Sequence, residues 1–198
     1  MNWNRKLRFE EVVPMKRRTL DAVLSASGAV VAVAFLAASA LGFWGANFTN
    51  TSVKQQLSQQ QIYFPEKGSE ALASPQIGPF LNQYAGQQLT TGAQAKAYAD
   101  HFIAVHLAYI GGGKTYSQLS AELMADPTNT ALQEQVATVF KGNTLRGLLL
   151  NAYAFSVFGE IAMAAAIATL VLGALMAFLA ILGVRHYRQV DPSATVSA

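Results

Sequence analysis

The chain has 198 residues, of which 52 % are hydrophobic and only 13 % charged, roughly half the charged share of an ordinary soluble domain. It contains no cysteine, which excludes disulfide scaffolds, cysteine-held zinc or iron–sulfur centres and thiol catalysis, and the apolar content excludes a disordered polar chain. A net charge of +3 and a pI near 9.2 would suit a nucleic-acid binder only if the basic residues clustered on a folded domain, so their placement decides.

Arg5, Lys6, Arg8, Lys16, Arg17 and Arg18 stand against Glu10, Glu11 and Asp21 in residues 1–21, the cytoplasmic basic N-terminus of the reading (residues 1–20) plus the first residue of the span. A charge-free stretch then runs from Asp21 to Lys54, with its apolar part at 22–44, and a second runs from Glu160 to Arg185. As helices these two runs rise roughly 35 Å, enough to cross a hydrocarbon core of about 30 Å. Transmembrane helices are expected at 21–46 and 161–184, the second inside a longer helix over 148–184. A signal peptide is the rival for the first run, since Ala38-Ser39-Ala40 is a small-x-small triplet; the run is longer than a signal h-region, and a retained anchor is expected.

The tail at 185–198 adds Arg185 and Arg188 against Asp191. The two flanks together therefore carry +4, the segment between the spans is neutral, and Glu160 brings the sum to +3. Basic flanks stay in the cytoplasm, so both termini are expected to be cytoplasmic in a plasma-membrane protein, with the middle of the chain outside. The same basic residues can touch anionic headgroups, at about 1 kcal/mol for each residue near the surface. No nucleic acid is expected as a partner.

Residues 47–147 read as a small extracytoplasmic domain of short helices. The first helix is expected to continue outward over 49–63 with a glutamine-rich face, until Phe64-Pro65 stops it. Residues 66–79 look like a loop, followed by a short helix around 80–89. Thr91 and Gln94 fit a capping box that opens a helix ending at Gly111-Gly112-Gly113. Tyr98, Phe102, Val105 and Tyr109 are its expected buried stripe. A helix over 117–125 should stop at Asp126-Pro127. The next should begin at Thr130 and end at Lys141-Gly142, with Asn143 capping a final helix from Thr144 to about Arg188. That final helix has an apolar face outside the bilayer (Leu148, Leu149, Tyr153, Phe155, Phe158) that the external helices are expected to cover. The fold class is thus an all-α membrane protein: a two-helix transmembrane hairpin with a small helical extracytoplasmic domain.

Few residues carry chemistry. Gly111-Gly112-Gly113-Lys114-Thr115 lacks the glycine that a phosphate loop needs five places earlier, where Ala108 stands, and reads as a helix cap. His101 and His106 point about 140° apart on a helix, so they are weak metal candidates, and no metal or cofactor is expected. Glu160 at the outer edge of the second span is an interfacial acid or a candidate for ion pairing and proton handling. No Ser–His–Asp order or carboxylate pair emerges, and the chain is not expected to be an enzyme. Asn47 and Asn50 match glycosylation sequons by chance. Small residues along the spans, Gly28, Ala32, Gly42, Gly159, Ala166, Gly173 and Ala177, together with Glu160, are the expected helix-packing or partner contacts.

Two stretches then carry a resemblance: residues 43–48 (FWGANF) with 53–65 (VKQQLSQQQIYFP), and residues 141–155 (KGNTLRGLLLNAYAF), with Tyr84-Ala85-Gly86 and Gly113-Lys114-Thr115-Tyr116 between them. The chain resembles a family of actinobacterial two-span membrane proteins without an assigned activity, some labelled as ring-opening dioxygenases. The resemblance implies an actinobacterial plasma membrane and supplies no catalytic residues. Three functions are open at this point. The leading one is a non-catalytic accessory subunit of a larger plasma-membrane complex (respiratory, oxygenase or transport), with other integral membrane subunits and the bilayer as partners. The second is an extracytoplasmic sensor or ligand-binding module with a pocket at Tyr98, Phe102, His106 and Tyr109. The third is a redox or proton-handling subunit using His101, His106 or Glu160.

Overall fold

A computed structural model describes residues 15–195; the charges at Arg5, Lys6, Arg8, Glu10 and Glu11 lie outside the described residues. The described residues are helical, with two isolated β-bridges and no strand. In chain order the helices are α1 (Arg17–Gln59), α2 (Glu70–Ala73), α3 (Gly78–Leu81), α4 (Gly92–Ala97), α5 (Ala104–Ile110), α6 (Tyr116–Ala125) and α7 (Thr130–Gln189). A 3-10 turn, Asn82–Tyr84, follows α3, and a π-helical segment, Tyr98–Ile103, joins α4 to α5. Two helices, α1 and α7, are long and apolar enough to cross a membrane. Their apolar windows are only 17 % and 11 % buried, whereas the core helix of a soluble protein is mostly covered. The described residues divide into two compact units, one of 15–42 with 165–195, the other Phe43–Ala164.

In the first unit the small residues face inward. Ser25, Ala32 and Ser39 on α1 are buried at steps of seven, as are Ala166, Gly173 and Ala180 on α7. Seven-residue spacing is the repeat of a left-handed coiled-coil seam, here built from side chains small enough for the backbones to approach closely. A Cβ at Gly28 would meet Ala180 at 3.7 Å, one at Gly173 would meet Leu36 at 3.0 Å, and one at Gly183 would collide with Ser25. Ser39 adds a buried hydrogen bond, its Oγ donating to the Ala166 carbonyl at 2.9 Å. The large apolar residues point outward: Val30, Val33 and Leu41 on α1, Val171, Phe178 and Ile181 on α7 are all more than half exposed. Of the small residues expected to pack, Gly28, Ala32, Ala166 and Gly173 lie on or beside the seam. Ala177 and Gly42 are half-buried.

In the second unit the core gathers Val53 and Leu57 of α1, Phe64, Leu72, Ile77, Leu81, Leu89, and Ala95, Ala99 and Ile103, with Leu149 of α7. Phe64 is its centre, edge-on to Tyr98 at 5.4 Å and 5.2 Å from Tyr84. The segment after α1 reaches that core by pairing in extended form with residues 86–89. Phe64 donates its N–H to Gln87 and Leu89 donates to Ile62. This pairing corrects the expected end of the first helix: α1 stops at Gln59, and Gln61 turns the chain at φ 52° before Phe64-Pro65 is reached. Residues 66–79 also contain α2 and the start of α3, and the helix expected around 80–89 is replaced by α3 and its short 3-10 turn.

The capping box at Thr91 forms as expected. Its Oγ1 accepts from the Gln94 N–H at 3.2 Å, and Gln94 Oε1 accepts from the N–H of Thr91 at 3.1 Å. A second box at Thr115 and Gln118 opens α6, which ends at Ala125 before Asp126-Pro127. The buried stripe of the 92–110 region is corrected by the π-helical segment, whose extra residue per turn rotates the helix. Ala95, Ala99 and Ile103 are buried, Tyr98 and Phe102 are half-buried, and Tyr109 is 88 % exposed.

The largest correction concerns α7. It runs unbroken from Thr130 to Gln189, through Lys141-Gly142-Asn143 where an end and a new cap were expected. Its cap is Asn129, whose Oδ1 accepts from the Leu132 N–H at 3.0 Å. A glycine inside a helix costs only about 1 kcal/mol, which tertiary packing overrides. Gly142 faces the Leu107 side chain of α5 so closely that a Cβ would collide with it. Gly142 is therefore a packing glycine.

Candidate functional site

The second unit holds a groove between the stretch of α1 from Phe48 to its end at Gln59 and the middle of α7, with a volume of about 370 Å³. Its floor is Val53, Leu57 and Leu149, side chains that also belong to the core and are fixed by it. Its walls are Phe48, Leu148 and Phe155, which are 60 %, 63 % and 53 % exposed. Ser52, Gln56, Gln60 and Asn151 supply a polar edge, and no charged side chain lines it. Burial of Ala46 and Gly159 sets the helix approach beside the groove. A Cβ at Gly159 would lie 3.0 Å from Asn50 Oδ1 and 3.4 Å from Thr49.

The apolar face expected to be covered by external helices is covered only in part. Leu149 is buried and Tyr153 half-buried, but Leu148, Phe155 and Phe158 remain open. Exposed aromatics that large, clustered on one helix face, mark interaction surfaces more often than solvent-facing ones. Phe155 and Phe158 also touch each other edge-on at 6.4 Å.

The expected pocket residues form a row. Tyr98 stacks on Phe102 at 4.7 Å and Phe102 packs on His106 at 4.4 Å, while Tyr109 is exposed beyond them. His106 Nδ1 lies 2.7 Å from the Phe102 carbonyl. His101 lies face to face with Phe80, ring centres 3.6 Å apart and planes within 4°. The two histidines are thus engaged with different aromatic rings, and no cluster of three His, Cys, Asp or Glu side chains suited to a metal occurs among the described residues. Glu160 is exposed at the position following Gly159.

One polar constellation escapes sequence reasoning. The Asp100 carboxylate accepts from Lys96 one turn earlier and from Arg146 of α7 at 3.0 Å, and Arg146 Nε donates to the Ala99 carbonyl at 3.3 Å. Hydrogen bonds from Lys96 and then Arg146 hold the Asp100 carboxyl below its ordinary value, and the same contact raises Lys96. Burial raises the Tyr98 phenol. The Lys96–Asp100 spacing of four was readable as a helix pair; Arg146, 46 residues away, was not. This cluster clamps the π-helical segment onto α7, with one carboxylate shared between two cations.

What the site offers chemically is apolar contact with a neutral hydrogen-bonding edge. No family model matches the chain, and neither curated proteins nor solved structures give a match.

Proposed function

We propose that the protein is a membrane-anchored, non-catalytic accessory subunit of a larger plasma-membrane assembly, of the actinobacterial two-span kind it resembles. In this reading α1 and α7 cross the bilayer as a hairpin, with both termini cytoplasmic and the second unit outside. The outward-facing valines, leucines and phenylalanines around a seam of Gly, Ala and Ser support it, because lipid replaces water as the solvent for large apolar side chains and removes the drive to bury them. The basic flanks support the orientation.

The observation that carries the accessory role is the uncovered face of α7 at Leu148, Phe155 and Phe158. Leu148 precedes the apolar run at 161 by thirteen residues, roughly 20 Å of helix, beyond the reach of the hydrocarbon core. Phe155 stands six residues, about 9 Å, before that run and Phe158 only three, so the membrane interface reaches Phe158 while a partner subunit would cover Leu148 and Phe155. Genetic incorporation of a photo-crosslinker at Phe155 tests this in cells. A discrete heterologous adduct with an integral membrane polypeptide, lost in a Leu148→Asp background and absent for a crosslinker at exposed Met124, is expected. A protein that purifies alone in mild detergent and gives no such adduct counts against it.

A further inference from the structure

We propose that the first unit carries a binding site for one anionic phospholipid, in a groove along α1 and α7. The inference rests on the membrane reading above and goes beyond it by assigning a ligand. The groove, about 460 Å³, is floored by Ala29, Ala32, Ala177 and Ala180 and walled by Leu36 and Ile181. Arg185 and Arg188 also line it, at the end toward Gln189. From Ala177 to Arg188 the helix rises roughly 16 Å, the thickness of one leaflet's hydrocarbon.

The charge pattern selects the occupant. The lining holds two cations and no anion. Among the neighbouring polar groups, the Arg18 guanidinium lies over the Tyr187 ring at 4.8 Å and its Nε donates to the Tyr187 carbonyl, while the buried Asp21 Oδ2 has no hydrogen-bond partner among the described residues and faces His186, not an arginine, at 3.7 Å. Asp191 accepts from both the N–H and the hydroxyl of Ser193. Neither Arg185 nor Arg188 forms an ion pair among the described residues, and both are exposed. An apolar channel ending in two arginines with no ion-pair partner among the described residues matches a molecule with an acyl chain and a phosphate, and guanidinium groups bind phosphate in a fork. A wholly apolar partner helix would leave these cations unmatched.

The test is native mass spectrometry of the full chain in mild detergent with equal amounts of dioleoylphosphatidylglycerol and dioleoylphosphatidylcholine. A preference of about thirtyfold for the anionic lipid is expected, corresponding to about 1 kcal/mol per arginine at about 1.4 kcal/mol per factor of ten. The Arg185→Gln/Arg188→Gln pair should bring the preference near parity. The Lys16→Gln/Arg17→Gln pair, on the other basic flank and outside the groove lining, should keep most of it. Ala29→Phe, which fills the groove and leaves both arginines, should lower the occupancy of both lipids. The proposal is overturned if the wild type shows no preference, or if the Lys16/Arg17 pair loses as much as the arginine pair, which would mean diffuse surface charge. Carbonate extraction of the wild type reports separately on the membrane reading: release from membranes defeats that reading, whereas retention without a lipid preference defeats only this site.

Discussion

Replacing Gly173 probes the seam of the first unit, where two opposed effects can be weighed. Alanine at this position gains about 1 kcal/mol of helix propensity over glycine. Its methyl, however, would sit 3.0 Å from both Cγ and Cδ2 of Leu36 and 3.2 Å from the Leu36 backbone nitrogen. Carbon atoms prefer separations of about 3.5–4.0 Å, so the helices must part by a few tenths of an ångström, a cost of the same order. Gly173→Ala should therefore be nearly neutral. Gly173→Leu adds three more carbons where the backbone of α1 blocks the way, and should cost about 1–3 kcal/mol. Ala174→Leu, one residue along and exposed, should change little. Because the chain has no cysteine, dyes can be placed on cysteines introduced at exposed Ala22 and Gln189, and energy transfer followed through an SDS titration in mixed micelles. Equal midpoints for Gly173→Leu and Ala174→Leu would refute the seam.

Three further outcomes follow from the second unit. Asp100 has a folded pKa below its ordinary 3.8, so its stabilisation is present above that ordinary value and is lost as pH falls through the lower folded value; the stability gap between wild type and Asp100→Asn should hold at neutral pH and shrink progressively in acid below 3.8. Denaturant titrations across that range check the sign, and a gap that widens in acid would contradict it. Gln61 occupies a left-handed conformation at an exposed position, so Gln61→Gly should raise stability by about 0.5–1 kcal/mol in thermal melts. Gly92→Ala should cost about 1–3 kcal/mol, since its methyl would run into Ser156 and sit 3.3 Å from the Tyr153 Cα, whereas Gly45→Ala, with open space around it, should gain up to about 1 kcal/mol.

Where local chemistry decides, the sequence is readable. The charge-free runs lie within α1 and α7 because length and hydropathy are properties of a single segment. The Thr91–Gln94 box and the stop at Asp126-Pro127 are likewise set within four residues. Features decided by distant neighbours are not readable in this way. Gly142 and Asn143 carry the chemistry of a helix end and a new cap, yet Leu107 of α5 makes the glycine a close-approach point inside one helix. The expected stripe through Tyr109 fails because a π-helical segment changes the period partway along. Small residues were recognisable along α1 and α7, but the packed seam follows steps of seven through Ser25 and Ser39 as well as Ala32, and neither serine was among the expected contacts. Of the site, the apolar stripe of α7 was visible, but the external helices expected to cover it leave Leu148, Phe155 and Phe158 open. The groove beside it and the Asp100–Arg146 clamp depend on contacts across 46 residues or more.

Cysteine accessibility tests the two-span arrangement most directly, because every thiol in the experiment is one introduced for it. Single variants Thr128→Cys and Gln189→Cys, both at exposed positions, are treated in intact cells with a membrane-impermeant maleimide. The account predicts labelling of Thr128→Cys in intact cells and of Gln189→Cys only after the membrane is opened. Labelling of both in intact cells, of neither, or in the reverse order would contradict it.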